Sequence, residues 1–347
     1  EPILIYHPNS GITRLIEKSM ELKIHTCPIP PIVSWTDIKG FKNFIDTLKE
    51  LLPSIFHAHV AFNLRCSYGI ICAKLAGVKA VVATQHSYYE PRSRRWLYLL
   101  RTYQKLISMF VDCYIAGSHG LANQLKGAII PENKIRVIKN GINLKCYSSD
   151  CKKQELIDNL DIQDNIPVVL TVARMDKLKG HRYLIEAASM VPKALFLLVG
   201  EGAERVNCEN QAQKLKIADR VIFLGQRCDI PALLNLCDLF VLPTSLEGGL
   251  PLSILEAMSA TKPVISSDIQ GVNEIIINGE NGLLVPPRDA VALAEKINLV
   301  LSDPDSAHKI AVAGKEMVIK EFSVEKMVSG VTHLYLELIR QKGICAS

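Results

Sequence analysis

Along its whole length the chain alternates short apolar runs with longer stretches in which apolar residues recur at helical spacing. That alternation predicts α/β domains on parallel sheets, because strands buried on both faces read as near-continuous apolar runs. In the first half the runs at 3–7, 23–27, 55–59, 80–85, 113–116 and 135–138 predict strands; in the second, those at 167–173, 194–200, 221–225, 239–243, 263–267 and 282–285. Helical stretches fill most of the gaps, among them 67–76, 96–110, 181–190, 251–260 and 289–301. The polar stretch 147–165 separates the halves, and the hinge is expected within 140–149. The expected division therefore falls between 145 and 146, with no internal repeat.

In sheets of this kind ligands bind beyond the carboxyl ends of the strands. The block Leu246-Glu247-Gly248-Gly249-Leu250-Pro251, running on through Glu256 to Ser259, follows one such strand end. Pro251 suits the first residue of a helix, and the glycines before it leave backbone N–H groups open to an anion at the positive end of the helix dipole. Phosphate is the natural guest, with Glu256, one to two turns in, placed to accept hydrogen bonds from a ribose diol. Arg174 and Lys179 follow another strand end, in 172–180, and a guanidinium fork with an ammonium point charge suits a diphosphate. Gly200-Glu201-Gly202 invites a dinucleotide reading, but Arg205 stands where a third small residue is required, so these glycines read as a tight turn.

His57, His59 and His86 fall at or just beyond strand ends of the first half. His86 is the candidate to meet a sugar hydroxyl or a leaving phosphate, since imidazole hydrogen-bonds in either role. His57 and His59 are expected on opposite faces of their strand, which argues against a metal site there.

Composition narrows the classes. The 347 residues carry a net charge of +5 with the basic residues dispersed, which argues against a dedicated nucleic-acid binder and suits an anionic substrate or membrane surface. Ten cysteines stand singly, without paired or zinc spacing, and read as reduced packing residues of a cytoplasmic protein. No apolar stretch reaches bilayer length and no signal-peptide pattern opens the chain, so a soluble protein is expected. A local exception to the dispersed charge is the basic and aromatic stretch around Arg92, Arg94, Arg95 and Trp96, which could lie on anionic headgroups at the inner face of the cytoplasmic membrane.

Taken in order, the motifs resemble those of the retaining, nucleotide-sugar-dependent glycosyltransferases of family 4, whose fold is called GT-B. They are Phe56-His57-Ala58-His59, the strand ending in His86, Ile115-Ala116-Gly117-Ser118, Val137 through Asn143, Arg174 through Gly180, Leu198 through Gly202, Val221 through Gly225, Glu247 through Met258, and Asn281 through Pro286. The resemblance covers nearly the whole chain and is strongest from 135 to 290. It implies two Rossmann-like domains facing across a cleft, with 1–145 on the acceptor side, 146–323 binding the nucleotide sugar, and 324–347 returning to the first. Arg174 and Lys179 would meet the diphosphate and Glu256 the ribose. Glu247, with the backbone of Gly248, Gly249 and Leu250, would lie near the donor sugar. Gly225 and Arg227 would lie beside the base, and His86 would face the reacting centre.

The implied reaction moves a sugar, with retention, from a UDP- or GDP-sugar to a glycan or lipid-linked acceptor in cell-surface polysaccharide or lipopolysaccharide synthesis. No cofactor and no essential metal are expected, because no Asp-x-Asp motif is present and Arg174, Lys179 and helix N-termini can meet the departing charge. The chain departs from the family in three places, one of them Asn143, which stands where an aspartate is common. One residue more separates Glu247 from Glu256 than separates the family's two acids, and the opening strand with its Gly-rich turn is not found, so the first domain is expected to lack them. A sugar-nucleotide-binding subunit without turnover, or an epimerase of the same architecture, are the competing classes.

Overall fold

The computed structural model describes residues 2–6, 13–32, 34, 36–60, 67–86, 93–127, 129–147, 160, 162–163, 166–246 and 249–344. It divides into two units. One comprises Glu1–Ile115, Leu125–Arg136 and Leu334–Ser347, the other Ala116–Gln124 and Val137–His333. The boundaries therefore fall at 115/116, 124/125, 136/137 and 333/334, whereas the expected hinge lay within 140–149.

The first unit opens with strand β1 (Ile3–Tyr6), helix α1 (Thr13–Glu21) and strand β2 (His25–Pro28), the two strands paired in parallel. Residues 7–12, where a Gly-rich turn would stand, lie outside the described residues. The expected start of β2 at residue 23 moves to His25 because Lys23 takes a left-handed φ of 56° at the end of α1. The chain continues through α2 (Ile38–Leu51), β3 (Ile55–Val60), α3 (Ser67–Leu75), β4 (Ala80–Gln85), α4 (Arg94–Ser108), β5 (Cys113–Ala116), α5 (His119–Gly127), whose residues up to Gln124 belong to the second unit, and β6 (Ile135–Val137). Strands β3 to β6 form a four-stranded sheet in sequence order. Every residue of β4 is buried, which is why its sequence is an unbroken apolar run relieved only by Thr84 and Gln85.

The second unit is built on β7 (Val168–Val172), α6 (His181–Ser189), β8 (Leu195–Val199), α7 (Arg205–Lys214), β9 (Val221–Gly225), α8 (Ile230–Leu236), β10 (Leu239–Leu242), α9 (Leu252–Ser259), β11 (Val264–Ser267), β12 (Leu283–Val285), α10 (Ala290–Ser302) and α11 (Pro304–Glu321). Helix α12 (Val324–Gln341) follows, its residues from Leu334 onward belonging to the first unit. The six strands are parallel, in the order β12-β11-β10-β7-β8-β9. Alternate residues feed two cores, one on each face of the sheet. Val169, Phe196, Leu198 and Val241 pack on one side; Val168, Leu170, Leu197 and Phe240 pack on the other. Phe196 and Phe240 are fully buried, and each such side chain contributes about 1.5–3 kcal/mol of apolar transfer. Helices on both faces of a parallel sheet are the Rossmann-like arrangement expected from the sequence.

Candidate functional site

From β7 the second unit's chain winds outward through β8 and β9, and then returns to the other side of β7 as β10, β11 and β12. The order reverses between β7 and β10, and the loops leaving those two strands flank the crevice where such sheets take ligands. Four consecutive strand ends meet there through backbone atoms. Met175 N donates to Glu201 O at 2.9 Å, Glu204 N to Met175 O at 2.9 Å, Gly200 N to Gly225 O at 2.8 Å, and Ser245 N to Leu178 O at 2.7 Å. Two glycines make this approach possible. A Cβ on Gly180, whose φ is 75°, would stand 1.8 Å from Pro243 O, and one on Gly200 would stand 1.9 Å from Ala173 O. The loop after β7 is further shaped by Asp176, whose Oδ1 accepts from Leu178 N at 2.9 Å and from Lys179 N at 3.2 Å.

Arg174 and Lys179 belong to that loop. The Arg174 side chain is 81% exposed and lies 3.2 Å from the Asp176 carboxylate; Lys179 is half-buried beside Gly180. Lys179 thus emerges where the loop touches the end of β10, next to the chain that leads into α9. Along that chain Gly249 forms a bend, Leu250 is buried, and Pro251 takes the capping position, one residue before the expected one. No side chain caps α9, so its first N–H groups lack that kind of partner. Glu247 and Gly248 lie outside the described residues.

Glu256, in the second turn of α9, is half-buried. Burial pushes its carboxyl above the ordinary range, against the hydroxyl of Tyr147, which donates to it and draws it down. Tyr147 closes the short 3₁₀ turn Leu144–Tyr147, and burial together with the Glu256 charge raises its hydroxyl. Sequence reading did not single out Tyr147, which stands at the edge of a polar stretch far from Glu256 in the chain. Arg227 donates to Asp229 through two nitrogens, at 2.8 and 2.5 Å, so its guanidinium is held in one orientation. Gly225, with φ at 65°, is buried next to the paired side chains of Glu201 and Arg205. The structure therefore brings the described donor-binding candidates onto one edge of the second unit's sheet.

In the first unit, His57 and His59 lie on the same face of β3, contrary to expectation, because strand side chains alternate and positions two apart point the same way. Their rings stack with centroids 4.7 Å apart, and the His86 ring stacks on His59 at 5.1 Å. His59 Nδ1 is 2.9 Å from His86 Nε2. His57 is held at both nitrogens, by Thr84 Oγ1 at 2.7 Å and by the hydroxyl of Tyr335 on α12. Burial, and then the neighbouring imidazoles, push His57 down to about 4; burial also lowers His59 and His86. The row is thus neutral at physiological pH. Among the described residues no group of three or more His, Cys, Asp or Glu could hold a metal ion.

Arg92 lies outside the described residues, and of Arg94 only its place at the start of α4 is described. Arg95 and Trp96 are exposed, Trp96 at 65%, with Tyr98 and Leu99 also exposed beside them. Among the described residues no helix is long and apolar enough to cross a membrane.

Two family models match the chain in succession: Glycosyltransferase Family 4 over residues 11–145 and Glycosyl transferases group 1 over 152–317. Among curated proteins, the chain is 36% identical over 278 residues to the N,N'-diacetylbacillosaminyl-diphospho-undecaprenol alpha-1,3-N-acetylgalactosaminyltransferase of Campylobacter jejuni, covering 77% of this chain and 72% of that one. It is 28% identical to the Escherichia coli UDP-Gal:alpha-D-GlcNAc-diphosphoundecaprenol alpha-1,3-galactosyltransferase, covering 88% and 81%. Among solved structures, Anabaena HepE in complex with UDP superimposes with a TM-score of 0.84 at 23% identity, over 96% of this chain and 92% of that one, a likeness of fold.

Proposed function

The chain belongs to the family 4 glycosyltransferases, with the GT-B fold, and from that premise we propose that it transfers a sugar, with retention, from a UDP-sugar to a lipid-linked glycan acceptor in polysaccharide or lipopolysaccharide synthesis. The observation that supports this reading is that Arg174, Lys179 and the start of α9, which no side chain caps and which leads to Glu256, all follow carboxyl ends of neighbouring strands β7 and β10. A nucleoside diphosphate matches it feature by feature: charge for the cations and the helix N-terminus, and a diol for the carboxylate. UDP is preferred over GDP because the Escherichia coli relative is named for UDP-Gal. Both transferases named above act on diphospho-undecaprenol-linked sugars and are named for an alpha-1,3 linkage. An α product is what retention gives from an α-configured donor.

In the reaction proposed, the bond from the anomeric carbon to the diphosphate oxygen breaks while the acceptor hydroxyl oxygen bonds to that carbon on the same face. The hydroxyl proton passes to the departing diphosphate. Lys179, Arg174 and the α9 N-terminus meet the charge that develops there, so no essential metal is required. Glu247 and the backbone of Gly248 and Gly249 hold the donor sugar, Gly225 and Arg227 flank the base, and His86 contacts a sugar hydroxyl. The exposed Arg95 and Trp96, with Arg92 and Arg94, rest on the anionic surface that carries the lipid-linked acceptor.

The test is calorimetry with UDP, GDP and ADP and their sugar conjugates, with and without chelator, followed by nuclear magnetic resonance of the product made on a diphospho-undecaprenol-linked sugar. UDP-selective binding that survives chelation, and an α-linked product, are expected. Failure to bind any of the three nucleotides would overturn the donor site. A trapped glycosyl-enzyme adduct would overturn the same-face displacement.

A further inference from the structure

Of the three stacked imidazoles in the first unit, only His86 has been given work. His57 has both ring nitrogens engaged, by Thr84 and Tyr335, and its ring lies 4.7 Å from that of His59. His57 therefore acts as a fixed plate that sets the plane of His59. His59 in turn places Nδ1 at 2.9 Å from His86 Nε2. Two neutral imidazoles in such contact share one proton: one ring donates and the other accepts, and each ring's remaining nitrogen takes the opposite role.

We propose that His59 is a positioning residue that makes His86 an acceptor: His86 donates its Nε2–H to His59 Nδ1 and so presents a bare Nδ1 to a hydroxyl of the bound sugar or of the acceptor. This rests on the reading that His86 faces the reacting centre. The arrangement keeps both rings in the Nε2–H form, the commoner tautomer of a free histidine side chain. The opposite assignment would force both into the rarer one. It also explains a third histidine at the back of the row, because a ring held at both nitrogens cannot turn and so denies His59 the rotation that would release His86. Among the described residues, the titratable groups facing the pair are His57 behind His59, and Tyr335 behind His57. A proton added at His59 Nδ1 breaks the pattern, since two N–H groups would then point at each other, whereas one added at His86 Nδ1 keeps the contact and removes the acceptor.

The test uses the full-length protein labelled with ¹⁵N-histidine, the His86 signals being assigned with His86→Gln, and compares wild type with His59→Ala and His59→Asn. In wild type, His86 should report a protonated Nε2 and an unprotonated Nδ1; in His59→Ala the two forms should mix. Turnover in His59→Ala should fall about tenfold, a fraction of what an acid–base group supplies, with KM for the donor within about twofold. The acidic limb of its pH–rate profile should move to higher pH, because a less covered His86 is protonated more easily. His59→Asn, whose side-chain amide can occupy the place of Nδ1, should restore most of the loss. An unchanged His86 tautomer in His59→Ala overturns the proposal, as does unchanged turnover in that variant when His86→Ala is impaired. If His86→Ala itself turns over normally, the placement of His86 at the reacting centre falls, and the nitrogen spectrum still decides the pairing.

Discussion

Replacing Glu256 by glutamine separates what this side chain does for the fold from what it does for the ligand. The amide keeps the shape and can still accept from Tyr147, so the local packing of α9 survives. A hydrogen bond to a charged group is worth about 1.5–3 kcal/mol and a neutral one about 0.5–1.5. Glu256→Gln should therefore weaken UDP by about 1–2 kcal/mol, or about 5- to 30-fold in Kd. Stability should move the other way. Burial raises the Glu256 carboxyl in the folded protein, so the folded chain holds that proton more tightly than the unfolded one. The stabilisation linked to it is full at pH below the unfolded value and is lost as pH rises through the raised folded one. Glutamine carries no such proton, so the variant should gain stability relative to wild type between mildly acidic and neutral pH. Titration calorimetry with UDP and thermal unfolding across that range measure both effects. Unchanged UDP affinity would refute the ribose contact, and a stability difference that does not vary with pH would refute the electrostatic account.

Lys179→Ala should weaken UDP and UDP-sugar equally, by about tenfold for the loss of one charge-assisted contact; equal affinity of variant and wild type for both ligands would remove Lys179 from the site. Gly180→Ala must place a Cβ 1.8 Å from Pro243 O at a φ of 75°. The backbone conformation alone costs about 1–2 kcal/mol, so a lowered Tm and weakened UDP binding are expected, and a wild-type melting curve would show that the loop does not pack on β10 as described. Tyr147→Phe removes the hydroxyl that steadies Glu256, and should weaken UDP while leaving Lys179→Ala just as costly; full affinity would mean that α9 alone orients the carboxylate.

Most of the secondary structure was legible because strands buried on both faces leave no choice but apolar residues. Strands β4, β5 and β9 begin and end where the apolar runs do. At β2 the left-handed Lys23 at the end of α1 moved the bound, and α4 begins two residues ahead of Trp96. Arg174, Lys179 and the block leading to Glu256 could be singled out because each follows a strand end, whereas Gly225 and Arg227 were named from the family resemblance. What escaped were partnerships between distant segments. Nothing near Tyr147 in the chain announces Glu256, and nothing near His57 announces Tyr335, since only the completed fold brings them within reach. The histidine row was hidden for a different reason, a misassigned face: positions two apart on a strand share a side, and the stacked rings follow directly from that.

The loops after β7, β8 and β10 are tied to one another through backbone atoms and bare glycines, and that limits how a descendant of this protein could change its cargo. Reshaping one of these loops would pull the others with it, because backbone bonds, joined by the Thr244 and Ser245 hydroxyls on Leu178 O, connect them directly. With Arg227 flanking the base as proposed, divergence in specificity is channelled to positions where a side chain, and not the backbone, can change, such as Arg227 and its partner Asp229 after β9. A library aimed at new donors should be concentrated at those positions and should leave Gly180 and Gly200 as they are.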